Sequence, residues 1–111
     1  MHITRAIIFV AAAALTGCSG SSVVTLINRS DITLSNVVVL GSGFTNRFES
    51  ISPGAEQRFT VHPRGESGLR VAFFDAAGRK VDSGEQGYFE AGYHVSAIIG
   101  TNLNVSISSD F

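Results

Sequence analysis

From Val23 onward the apolar residues come in short β-branched or aromatic runs cut apart by Gly, Pro, Asn, Asp and Ser, with no sustained period near 3.6. That spacing excludes long amphipathic helices. It leaves a chain of short strands, each of which must bury one face against something else.

The clearest run is the last one, where Leu103, Val105 and Ile107 alternate with Asn104, Ser106 and Ser108. A period of two places all three apolar side chains on one face of a sheet and leaves the other face wet. Tyr93, Val95, Ala97 and Ile99 alternate in the same way with His94, Ser96 and Ile98, and Gly100-Thr101-Asn102 suits a hairpin loop between the two runs. Leu69, Val71 and Phe73 define another inward row, followed by the turn signal Asp75-Ala76-Ala77-Gly78 and a return strand beginning at Arg79-Lys80-Val81. Earlier strand candidates run from Val23 to Asn28 and from Leu34 to Leu40, joined across Arg29-Ser30-Asp31. Two more, Phe44 to Phe48 and Gln57 to Val61, flank Ser52-Pro53-Gly54. Pro then Gly favours a type II turn, because proline presets φ at the first central position and glycine accepts positive φ at the second.

About seven or eight short strands with a turn signal every 8 to 12 residues predict an all-β fold, a small antiparallel β-sandwich of immunoglobulin-like architecture. A small β-barrel is the alternative. The cysteine and tryptophan hallmarks of true immunoglobulin domains are absent.

The first residues carry a different signal. A short positive start, Met1 to Arg5, precedes an uninterrupted apolar stretch from Ala6 to Leu15, and Leu15-Thr16-Gly17-Cys18 follows at once. Spanning a bilayer as a helix takes about 20 apolar residues, and this stretch is half that length. The arrangement resembles a bacterial lipoprotein signal peptide with its lipobox. The resemblance implies that Leu15, Thr16 and Gly17 are read by a signal peptidase, and that residues 1–17 are removed. The Cys18 sulfur then carries a diacylglyceryl group and its new amino group an acyl chain, the covalent lipid being the sole cofactor expected. Small side chains at 16 and 17 suit an extended backbone in a protease cleft, and only a thiol forms the thioether. Each buried methylene contributes about 0.8 kcal/mol, so two or three acyl chains anchor a domain durably. Ser19 is not the aspartate that resembles an inner-membrane retention signal, so the expected location is the periplasmic side of the envelope, at the outer membrane.

Removal of the first 17 of 111 residues leaves 94, enough for one domain. Residues 18–22 read as lipidated cysteine and tether, Ser19, Gly20, Ser21 and Ser22 giving a reach of roughly 14 Å, and residues 23–111 as the sandwich. Seven of the eight basic side chains remain against all nine acidic ones, a net charge of −2 that argues against nucleic acid as a partner. With Cys18 the only cysteine, the fold must hold without disulfides.

No catalytic constellation assembles in the pattern. His62 and His94 have no spare cysteine beside them, so no metal site is expected. Gly65-Glu66-Ser67-Gly68 runs into Leu69 and misses the nucleophile-elbow frame, and Gly41-Ser42-Gly43 leads into a strand and not a helix terminus. Asp75, Asp82, Glu85 and Glu90 fall in successive hairpins, where solvated loop carboxylates are the ordinary outcome. The most unusual composition is Tyr88-Phe89-Glu90-Ala91-Gly92-Tyr93. Exposed, its rings would make a rigid contact patch; otherwise one tyrosine folds its hydroxyl onto the backbone while Phe89 enters the core. Arg64, Glu66 and Arg70 form a second polar cluster. Lipobox plus a β-rich domain of this size also resembles the membrane-bound lysozyme inhibitors, whose inhibitory loop carries Ser-Gly-x-x-Tyr. Here Ser67-Gly68-Leu69-Arg70 is followed by Val71, and that family's disulfide has no second cysteine, so the resemblance covers signal and size.

The expected function is therefore a non-enzymatic, membrane-tethered module that binds another envelope protein, with Tyr88, Phe89, Tyr93, Arg64 and Arg70 as candidate contacts. The alternative is an immunity or inhibitor protein against a periplasmic hydrolase or toxin. Mass spectrometry of the native chain should find residue 18 as the amino terminus, carrying the added mass of a diacylglyceryl group and a further acyl chain. A native chain that retains Met1 would contradict this.

Overall fold

The computed structural model describes residues 20–111, in which nine strands form two facing sheets without a helix or a closed barrel among them. The strands are β1 (Ser22–Asn28), β2 (Leu34–Gly41), β3 (Phe44–Ile51), β4 (Glu56–Val61), β5 (Ser67–Phe74), β6 (Lys80–Asp82), β7 (Gln86–Phe89), β8 (His94–Ile99) and β9 (Val105–Asp110). One sheet has the order β4-β1-β8-β9 and the other β3-β2-β5-β6, with β7 also on β5. The all-β sandwich expected from the alternation is the fold, with one strand more than that pattern marks. The lipobox residues Leu15, Thr16, Gly17 and Cys18, and Ser19 after them, lie outside the described residues.

Alternation decides the core. Val24 and Leu26 of β1 and Val95, Ala97 and Ile99 of β8 face Val37 and Val39 of β2 and Leu69, Val71 and Phe73 of β5, all fully buried or nearly so. One pairing departs from an antiparallel sandwich: β1 and β8 run parallel, from Val23↔His94 to Asn28↔Ile99. The chain reaches β8 only after building the other sheet, so its direction there is set by that route and not by a hairpin.

Two residues hold positive φ without being glycine, and each solves a register problem. Leu34 and Val37 both point inward although three residues apart, which a regular strand forbids. Asn36, at φ 48°, is the extra residue of a bulge where the β2–β5 register shifts between Ser35 and Val38. Leu103 adopts φ 68° in the β8–β9 turn, where its N–H donates to the Gly100 carbonyl at 2.9 Å. It thus belongs to the turn and not to the inward row of the last strand. Its ring of neighbours repays the strain, since the side chain packs against the core.

β7 has no alternation to reveal it. It is held by Phe89, 1% exposed, and by pairing Ser67↔Phe89 and Leu69↔Gln86 with β5. It also reaches the opposite sheet, as the Ser109 hydroxyl donates to the Tyr88 carbonyl at 2.6 Å. β7 therefore covers the side of the sandwich between β5 and β9. At the start of the domain, β1 takes in Ser22, and Ser21 accepts a hydrogen bond from the Gly92 N–H at 2.7 Å, so the tether is shorter than residues 18–22.

The sheets are tied together at one end by Asn28, which is fully buried. Its amide nitrogen donates to the carbonyls of Ile32 and Ile51, each at 2.9 Å. Its side-chain oxygen accepts from the Ser30 N–H at 2.9 Å and the Ser30 hydroxyl at 2.7 Å. The backbone of Asn28 holds the Pro53-Gly54 turn through Asn28 N–H to Ala55 O at 3.0 Å and Gly54 N–H to Asn28 O at 2.7 Å. Two of the four crossings between sheets, β1 to β2 and β3 to β4, lie at this end and are thereby held by one residue. Truncation would orphan several buried groups at once, so Asn28→Ala should cost roughly 2–4 kcal/mol. Urea unfolding should show a lower midpoint with an unchanged slope, whereas Asn102→Ala at an exposed turn should move it little.

Candidate functional site

The outer faces of the two sheets differ. On the β4-β1-β8-β9 sheet, Arg58, Thr25, Ser96 and Ser108 stand in one outward row across the four strands, a polar surface. On the other sheet, Val38 pairs with Arg47 on one side and Ala72 on the other, and Ala72 pairs with Asp82. The row Arg47, Val38, Ala72, Asp82 is thus apolar in the middle and charged at both ends. The neighbouring rows add Leu40 beside Arg70, and Phe74 beside Lys80. Together these residues line a shallow groove of about 460 Å³.

This floor exists because both strands beneath it are apolar on both faces. Val37-Val38-Val39-Leu40 in β2 and Val71-Ala72-Phe73-Phe74 in β5 supply inward residues to the core and outward ones to the groove. Near-continuous apolar runs are the mark of strands covered on both sides.

Charge around the groove is unevenly satisfied. Arg70 grips Asp82 with two nearly parallel bonds, Nε to Oδ1 at 2.9 Å and a terminal nitrogen to Oδ2 at 2.5 Å. The Arg70 hydrogen bonds, then the Gly84 N–H at 2.9 Å, hold the Asp82 carboxyl well below the usual carboxylate range, and the pairing in turn raises Arg70. Arg47 and Lys80 form no ion pair among the described residues. The groove therefore has an apolar floor, the Arg70–Asp82 pair, and two cations outside any ion pair among the described residues, of which Lys80 lies near enough to Asp82 to help lower its pKa.

The residues singled out in the sequence are dispersed over this framework. Arg70 lies in the groove, while Arg64 sits exposed in the β4–β5 loop, its N–H donating to the Ser42 carbonyl at 2.8 Å. Tyr88 is 45% exposed and Tyr93 half-buried, their rings edge to face at 6.2 Å, near where residues 20–22 enter. Phe89 is withdrawn into the core, stacked at 6.2 Å on Phe44, and is no contact residue. Among the described residues no tyrosine hydroxyl turns onto the backbone; that of Tyr88 donates to the Glu90 carboxylate, which pushes the phenol up to about 12. Ser67 and Gly68 are buried in β5 and form no protruding loop; the Ser67 hydroxyl donates to the Gly68 carbonyl at 2.7 Å and accepts from the Ser42 N–H at 2.9 Å.

The four carboxylates of the later hairpins do not converge. Asp75 caps its own turn, accepting from the N–H groups of Arg79 at 2.8 Å and Ala77 at 2.9 Å, and the first of these leads in lowering its pKa. Asp82 belongs to Arg70, Glu85 lies over Gly68, and Glu90 takes the Tyr88 hydroxyl. No three His, Cys, Asp or Glu side chains meet in a metal-binding group among the described residues.

Val38, Leu40, Arg47, Ala72, Phe74 and Lys80 escaped the sequence reading. The signal for them was the pair of two-faced runs in β2 and β5, from which an apolar outer strip follows once the strands are neighbours. Because Arg70 is the first cause of the low Asp82 pKa, Arg70→Gln should return the Asp82 midpoint most of the way toward about 4. A carboxyl-carbon NMR titration would read this directly. In the unaltered protein the carboxylate should stay ionised as pH falls through that range, its stabilising contribution being lost only below it.

No family model and no curated protein matches this chain. Among solved structures, an NMR structure of a protein from Eubacterium rectale is similar at 17% identity and a TM-score of 0.59, over 79% of this chain and 86% of that one. The N-terminal domain of AlgF from P. aeruginosa gives 11% identity and a TM-score of 0.49, over 83% of this chain and 95% of that domain. The first likeness bears on the fold alone: a similar fold is reached with little sequence in common.

Proposed function

We propose that this chain is a lipid-anchored protein of the cell envelope, facing the periplasm from the outer membrane, which acts without catalysis by binding an envelope protein on the outer face of its five-stranded sheet. The observation that carries this is the groove of Val38, Leu40, Ala72 and Phe74 with Arg47 and Lys80 unpaired at its rim. Apolar surface of this kind gains on leaving water, and cations outside any ion pair steer an acidic partner and fix its register. The matching ligand is an extended acidic segment with an apolar side chain for the floor and carboxylates for the rim. Signal and lipobox support the anchor, as the Leu15-Thr16-Gly17-Cys18 resemblance implies.

Site-specific photocrosslinking in living cells tests the reading. A crosslinker placed at Lys80 or Arg47 of the full-length chain should capture one discrete envelope protein, and the same group at Arg58 on the polar sheet should not. The capture should weaken several-fold when Phe74 is changed to Ser. Equal capture from both faces, or none from either, would sink the proposal. Recovery of a cell-wall hydrolase as the partner would decide for an inhibitor or immunity role of the same face.

A further inference from the structure

We infer that the end of the sandwich where residues 20–22 enter rests on a zwitterionic bilayer surface, with Tyr88, Tyr93 and Phe111 in its headgroup layer. This rests on the proposed lipidation of Cys18, but it adds an orientation and a second membrane contact that the lipid alone does not require.

The chain is pinned from Gly20 onward. The Gly20 carbonyl lies 3.1 Å from His62 Nδ1, Ser21 O accepts from Gly92 N–H at 2.7 Å, and the Ser22 hydroxyl donates to the Glu90 carbonyl at 2.8 Å. Gly20 itself holds φ 52°, and a Cβ there would stand 2.6 Å from that of Ala91, so the close approach to the β7–β8 loop demands glycine. Only Ser19 separates this anchored residue from Cys18, and two extended steps span at most about 7 Å. A diacylglyceryl group at Cys18 therefore draws this end of the domain against the headgroups.

What the domain presents there suits that contact. Tyr88, 45% exposed, and Phe111, 91% exposed, are the large hydrophobic side chains exposed among the described residues, and both sit at this end. Tyr93 joins them, edge to face with Tyr88 at 6.2 Å and with Phe111 at 5.2 Å. Amphipathic rings gather at membrane interfaces, where one side is apolar and the other wet. The opposite end carries the turns at residues 29–33, 52–55, 75–79 and 100–104, with no exposed large apolar side chain. Glu66, Glu90 and Asp110 outnumber Arg64 around the rings, which disfavours an anionic surface and leaves a zwitterionic one.

The chain has no tryptophan, so Phe111→Trp introduces a single reporter at a solvent-facing position. The lipidated full chain, its lipid verified by mass, would be placed in phosphatidylcholine vesicles whose acyl chains are brominated near the glycerol end. The F111W emission should be blue-shifted and quenched, whereas Thr101→Trp at the far turn should emit as in water and escape quenching. Replacing part of the phosphatidylcholine with phosphatidylglycerol brominated at the same position should lessen the F111W quenching. Equal quenching of both reporters, no quenching of F111W on lipid-bearing protein, or stronger quenching on the anionic vesicles would overturn the inference while leaving the anchor intact. A chain that carries no lipid overturns both, and the mass distinguishes that outcome.

Discussion

Asn28 ties the two sheets together at one end of the domain. A chain with a single cysteine can form no internal disulfide to hold its layers in place. The crossings between layers must be held by packing and hydrogen bonds, and both crossings at this end converge on one buried amide with all its capacity used. A buried amide with four partners is specific in a way that an apolar contact is not, because any other arrangement of the loops leaves a donor or acceptor unmet. The parallel pairing of β1 with β8 has a separate origin, the route of the chain through the other sheet, which returns it to β1 running in the same direction.

Eight of the strands were legible, some because burial on one face writes itself as alternation, β2 and β5 as short apolar runs between turn signals. β7 was not, since Gln86-Gly87-Tyr88-Phe89 has neither period nor β-branched residues, and it becomes a strand only when Phe89 is drawn into the core beside β5. The bulge at Asn36 was hidden for the opposite reason. Leu34 to Leu40 reads as one strand, and only the need to bury both Leu34 and Val37 reveals the inserted residue. Leu103 shows the limit of alternation at a strand end: its place in the apolar series Leu103, Val105, Ile107 suggested a strand, while its backbone serves the turn.

The site was less legible than the fold because a sheet face is assembled across strands. Arg47, Val38, Ala72 and Asp82 lie in four strands and adjoin only through register. Arg70 was marked by its place in a polar cluster with Arg64 and Glu66, but the structure gives it Asp82 instead. The aromatic segment was easier to notice and harder to interpret: two neighbouring rings divide, Phe89 going inward and Tyr88 outward, as strand geometry demands of consecutive residues.

The two proposed contacts constrain one another. Strands of the five-stranded sheet run between the aromatic end and the far turns, and an eight-residue strand such as β2 is about 26 Å long. With the aromatic end on the bilayer, the strands stand away from the surface and the groove, midway along them, opens sideways. A partner would then approach parallel to the membrane, which suits another envelope protein better than a molecule arriving from the bulk periplasm. The acidic residues near the rings and the cations at the groove rim also divide the surface by charge, so the acidic segment of the proposed partner would be repelled from the aromatic end and drawn to the sheet face. The proposed anchor, rings and groove are thus compatible with one orientation, in which the lipid would limit the height of the domain and the sheet would set the direction from which it can be bound.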